Sequence, residues 1–113
     1  MNPDAVVAKL GLALPSGTRV VGASASSERD GLIQAKLEMP AAQVAGFIAN
    51  ANIQGLEEVG PDLLGPGEGF WDPHRAGPLR AGEAQLPGAR FLLVAVDGSR
   101  PQTAVVYVML HGT

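Results

Sequence analysis

The sequence predicts an α+β fold, a four-stranded antiparallel sheet with helices packed on one face and a long Gly/Pro-rich loop, on three observations. Ile33, Ala35, Leu37 and Met39 alternate with Gln34, Lys36 and Glu38, the period-two pattern of a half-buried strand. Two apolar runs, residues 91–96 and 104–110, flank the turn residues Asp97 to Pro101 and read as a closing hairpin. Between these features Val44, Phe47, Ile48 and Ala51 recur at helical spacing while Gln43 and Asn50 face away.

Taken in order, Asn2, Pro3 and Asp4 look like a helix N-cap, first helical residue and dipole-matched carboxylate, with Val6, Val7 and Leu10 following at helical offsets. Leu12 and Leu14 extend that apolar stripe until Pro15 and Gly17 break it. A weakly patterned strand follows near residues 20–25, with Val21, Ala23 and Ala25 expected on one face and Val20, Gly22 and Ser24 on the other. It forms a hairpin with the strand at 33–39, Asp30-Gly31 supplying the turn. Pro40 occupies the position of a first helical residue before a helix at 41–51. Gly46 inside that helix costs ~1 kcal/mol relative to alanine and reads as tolerated rather than required.

Residues 60–88 are so rich in glycine and proline that they read as one long loop. That stretch contains Phe70 and Trp71, two of the chain's five aromatic residues, which predicts an ordered loop pinned to the body by this pair. The closing strands are apolar on both faces. They therefore belong at the sheet centre, or in a sheet whose second face is covered by the loop or by a second chain.

The 113 residues, 46% hydrophobic and 17% charged, fit a single globular domain, residues 1–113, in which roughly two-thirds of the unfolded surface can be buried. With no cysteine there is no disulfide, thiolate metal site or cysteine nucleophile. A formal charge of −3 and only 8 Lys plus Arg argue against nucleic acid or anionic lipid as a partner. No stretch approaches the ~20 apolar residues of a membrane span, so no membrane insertion is expected. Asp4 and Lys9 interrupt the N-terminal apolar residues, unlike a signal peptide.

The densest group of chemically able side chains is Glu68, Trp71, Asp72, His74 and Arg75, with Arg80 and Glu83 close behind. Glu68, Asp72 and His74 have the right chemistry for acid–base work or for ligating a metal. However, Asp72 and His74 bracket Pro73, which makes an extended turn rather than a one-face helical pair. A loop anchor explains them better: Trp71 packed on the body, Asp72 accepting backbone N–H bonds as an Asx turn, and His74 and Arg75 solvated. In that reading Asp72, His74, Arg75 and Arg80 form a surface contact patch around the Trp71 anchor, with no catalytic residue, metal or cofactor.

Gly65-Pro66-Gly67-Glu68-Gly69 follows no strand and has no Lys-Ser/Thr, so it is no phosphate cradle. Ser24, Ser26 and Ser27 lack a nucleophile elbow. His111 matters only if folding brings it near His74, and Tyr107 is expected at the core with its hydroxyl at the rim.

Leu14-Pro15-Ser16-Gly17-Thr18, residues 37–47, Phe70-Trp71-Asp72-Pro73 and residues 104–108 together resemble a family of small uncharacterised actinobacterial (Streptomyces-type) proteins, many of them lipoproteins or membrane-anchored ectodomains. The resemblance implies an extracytoplasmic domain with an N-terminal anchor and carries over no catalytic residue. This chain departs from that plan in having no cysteine to lipidate, which leaves a trimmed anchor or a cytosolic member as the expectations. The function expected is a non-enzymatic binding domain for a protein, peptide or envelope component. The alternative is a small enzyme or ligand carrier, as a monomer or as a homodimer whose partner copy completes the pocket, with His74, Asp72 and Glu68 or His111 at the pocket mouth.

Overall fold

The structure, a computed structural model, describes residues 8, 10–25, 32–65, 67, 69–86 and 90–112. Its frame is one antiparallel sheet of six strands rather than the four expected. These are β1 (Arg19–Ala25), β2 (Ile33–Pro40), β3 (Glu57–Val59), β4 (Leu79–Leu86), β5 (Arg90–Asp97) and β6 (Thr103–Gly112), in spatial order β1-β2-β6-β5-β4-β3. The two apolar closing strands are the central pair, where both faces of a strand are buried. Following β2, the chain crosses the sheet by way of a 3-10 turn, Ala41–Gln43, and α1 (Val44–Asn50). It then returns strand by strand from the far edge until β6 docks against β2.

The strict alternation of β2 appears as buried Ile33, Ala35, Leu37 and Met39 beneath the helix. Phe47, Ile48 and Ala51 project from the helix onto this first face, where they meet Leu92, Val94, Val106 and Val108. Pro40 ends β2 rather than opening the helix, and the expected helix at 41–51 begins as the 3-10 turn and becomes α-helical only over Val44–Asn50. The helix closes with Asn52 at φ 61°, its N–H bonded to the Ala49 carbonyl and that of Ile53 to the Ile48 carbonyl, the paired bonds of a Schellman motif. Among the described residues it is the one α-helix with full turns; the opening helix expected at 2–10 lies mostly outside them. Buried Leu10 and partly buried Leu12 and Leu14 add to the same core.

β1 departs from strict alternation. A bulge between Val20 and Gly22 shifts the register, so Val20 joins Ala23 and Ala25 on the core face in place of Val21. The Asp30-Gly31 turn of this hairpin lies outside the described residues.

The stretch 60–88 is not a single loop, because residues 79–86 form β4, paired with β5 through eight consecutive positions. Leu-Arg-Ala-Gly-Glu-Ala-Gln-Leu contains no β-branched or aromatic residue, and Gly82 looks like a breaker. In place, Gly82 answers a close approach: a Cβ there would lie 2.4 Å from the Gly55 carbonyl oxygen and 2.5 Å from Ile53. The shorter remainder, 60–78, folds over the second face of the sheet and builds a separate core of Leu64, Trp71, Leu79, Leu93, Val105 and Tyr107.

Candidate functional site

The second face is organised in cross-strand rows. One row runs Gly22, Lys36, Tyr107, Ala95 and Ala81, and it is this row that the loop covers. Glycine at 22 leaves room for Phe70, since a Cβ there would fall 2.5 Å from the Phe70 ring. Next to it, Trp71 is 1% exposed and stands edge-on to Tyr107, ring centroids 5.3 Å apart. Its indole Nε1–H donates to the Leu64 carbonyl at 2.9 Å, tying the two arms of the loop together. Trp71 is thus the anchor that its position in a Gly/Pro-rich stretch predicts.

Asp72 does not act as an Asx turn. Its Oδ1 accepts hydrogen bonds from Lys36 Nζ at 2.7 Å and from the Tyr107 hydroxyl at 2.8 Å. Lys36 and Tyr107 are direct cross-strand partners, so register alone brings both donors to the same point under the loop. Partial burial pushes the Asp72 pKa up, but the hydrogen bonds from Lys36 and Tyr107 and the Lys36 charge outweigh it and hold the carboxyl below its ordinary range. Burial, with the hydrogen bond to Asp72 and its charge, pushes the Tyr107 pKa up. The Asx geometry belongs instead to Asp97, whose carboxylate accepts the Ser99 N–H at 3.0 Å and the Gly77 N–H at 3.1 Å.

The expected patch is split. Asp72, His74 and Arg75 share a small open cleft of about 240 Å³ beside Gly67. His74 is half-exposed, its Nε2 3.8 Å from the exposed Asp62 carboxylate. Arg80 lies on the opposite, helix-covered face of the sheet, aligned with Val96, and donates to the Leu56 carbonyl at 3.3 Å. A side-chain direction set by strand parity cannot be read from a segment taken to be a loop. His111 stacks on Phe91, centroids 5.5 Å apart, and is not brought to His74. Glu68 lies outside the described residues. Among the described residues no three His, Asp or Glu side chains gather in a way that would hold a metal.

An open cleft of about 770 Å³ lies at the margin of the loop. Its floor is the adjacent cross-strand row, Ser24, Gln34 and Met109, and its walls include Leu63, Phe70 and Trp71. Asp62 stands at its rim, and Leu63 is 46% exposed, the one large apolar side chain so exposed among the described residues. Of these, Phe70 and Trp71 stand out in the sequence as anchors, and Ser24 only as a serine without a nucleophile elbow. Ser24, Gln34 and Met109 come from three strands and meet through pairing, and no local pattern marks Leu63. Compared with protein-family models, curated proteins and solved structures, the chain matches none.

Proposed function

We propose that this chain is a non-enzymatic binding domain whose recognition surface is the loop-covered face, with a protein, peptide or envelope component as its partner. One observation carries the reading: the loop carboxylate Asp72 is engaged by Lys36 and Tyr107 in holding the loop down, while the cleft beside Phe70 stays open between the apolar walls of Leu63, Phe70 and Trp71. Both cores are filled by side chains, and the clefts are open. The extracytoplasmic placement implied by the resemblance belongs to this reading and is checked by fractionating cells that express the gene from its own locus.

The test is a nuclear magnetic resonance screen of labelled protein against aromatic and aliphatic fragments. Amide shifts are expected at Ser24, Gln34 and Met109, and Phe70→Ala is expected to abolish them. One observation favours the alternative of a small enzyme or ligand carrier, namely that Asp72, His74 and Arg75 do share a cleft. Turnover of an ester, phosphate or peptide substrate that His74→Ala abolishes would replace the binding reading with that one.

A further inference from the structure

We propose that the outer edge of β4 beyond β3 receives an extended basic peptide as an added strand. The site centres on residues 83–86 rather than on the Ser24, Gln34 and Met109 floor of the cleft beside Phe70; Leu63 borders both, and amide shifts at one set of residues or the other tell them apart.

β3 pairs with β4 only at Leu79, Arg80 and Ala81. β4 continues to Leu86, in unbroken register with β5, so from Gly82 onward no described strand occupies its other edge. The chain before β3 does not fill that edge, because it arrives over the helix-covered face, with the Gly55 carbonyl above Gly82. Alternate N–H and C=O groups of residues 83–86 therefore point outward along a regular strand, the geometry that peptide strand addition uses. The opposite edge of the sheet is a poorer template, since β1 is bulged between Val20 and Gly22.

A cleft of about 570 Å³ runs beside this edge, between Gly55 and Glu57 on one side and Leu63 on the other, with Ala81 and Leu93 at its base. Leu93 and Glu83 are cross-strand partners and continue the same row as Gln34 and Met109. A strand added in line with β3 places every second side chain on this face, where exposed Leu63 and the buried Leu93 offer an apolar seat. The charged residues lining the cleft are Glu57 and Glu83, and no Lys or Arg lines it among the described residues. Glu83 and Glu57 lie on this same face, opposite Leu93 and Ala81, so charge complementarity selects a partner strand that turns Lys or Arg to this face, aliphatic stems against Leu63 and Leu93 and charges toward the two carboxylates, and apolar residues to the other. It also opposes a second copy, because edge-to-edge pairing about Glu83 would set like charges against each other.

The test uses the full chain and a short synthetic peptide alternating Val with Lys, beside a Val/Glu counterpart and an N-methylated Val/Lys version. The Val/Lys peptide is expected to bind, to shift the amides of Glu83 to Leu86 and to slow their hydrogen exchange. N-methylation, which removes the donors, is expected to weaken it about tenfold or more. Glu83→Lys is expected to shift preference toward the Val/Glu peptide, and Leu63→Ala, at an exposed position, to weaken binding several-fold without unfolding the chain. Equal binding of acidic and basic peptides, or shifts confined to Ser24, Gln34 and Met109, would overturn the proposal. So would concentration-dependent dimerisation that protects residues 83–86 without peptide.

Discussion

Trp71 and Asp72 are neighbours in sequence with opposite fates, and the loop depends on both. Trp71 is fully buried, so Trp71→Ala is expected to cost ~3–5 kcal/mol in denaturant melts. The half-exposed His74, by contrast, can be changed to alanine within ~0.5 kcal/mol. The native indole is expected to emit at short wavelength and resist quenchers; emission like free tryptophan would contradict its burial. Asp72 makes a different prediction. Because its folded pKa lies below the ordinary 3.8, its contribution is complete above that value and is lost as the pH falls through it toward the folded pKa. Asp97, pushed up by burial but held low by the Ser99 side chain, the Ser99 and Gly77 N–H groups and the Arg100 charge, adds to the same slope. Asp72→Asn is expected to flatten the fall of stability with acid without abolishing it, as read from urea midpoints taken between neutral and strongly acidic pH.

Glycine means different things in the helix and in β4. Gly46 is exposed, and a Cβ there would meet nothing within 4 Å, so Gly46→Ala is expected to stabilise by ~0.5–1 kcal/mol through backbone entropy. Gly82→Ala, with the same chemistry, would drive a methyl group into the Gly55 carbonyl and is expected to destabilise by ~1–3 kcal/mol. Thermal melts of the two variants check the opposite signs. The contrast explains why β4 was hidden. A composition count treats each glycine as a break, whereas a strand already paired along its length needs glycine where another backbone crosses it. β2 was legible for the converse reason: its alternating residues report directly which face is buried, and all four predicted core positions are.

At the scale of the molecule, the two cores share β5 and β6, whose alternate residues face the helix on one side and the loop on the other. Loosening the loop would expose the second face of the same strands that carry the first. Trp71 fluorescence and backbone circular dichroism are therefore expected to report one coincident unfolding transition. Separate midpoints would show that the loop-side core melts alone.

The sequence by itself determined the elements whose local pattern states their burial: β2, the helix around Phe47, the apolar closing hairpin at the sheet centre, and Trp71 as an anchor. Such residues carry the signal in their own spacing, because period and hydrophobicity are set by the face each element buries. Only the tertiary structure decided the rest. β3 and β4 are strands because of what they pair with, and Arg80 leaves the Asp72 group because strand parity turns it to the other face. Lys36, Tyr107 and Asp72 meet because β2 lies beside β6 and the loop folds back over both. Ser24, Gln34 and Met109 become one cleft floor for the same reason, since residues far apart in the chain become neighbours through long-range pairing that no local window contains.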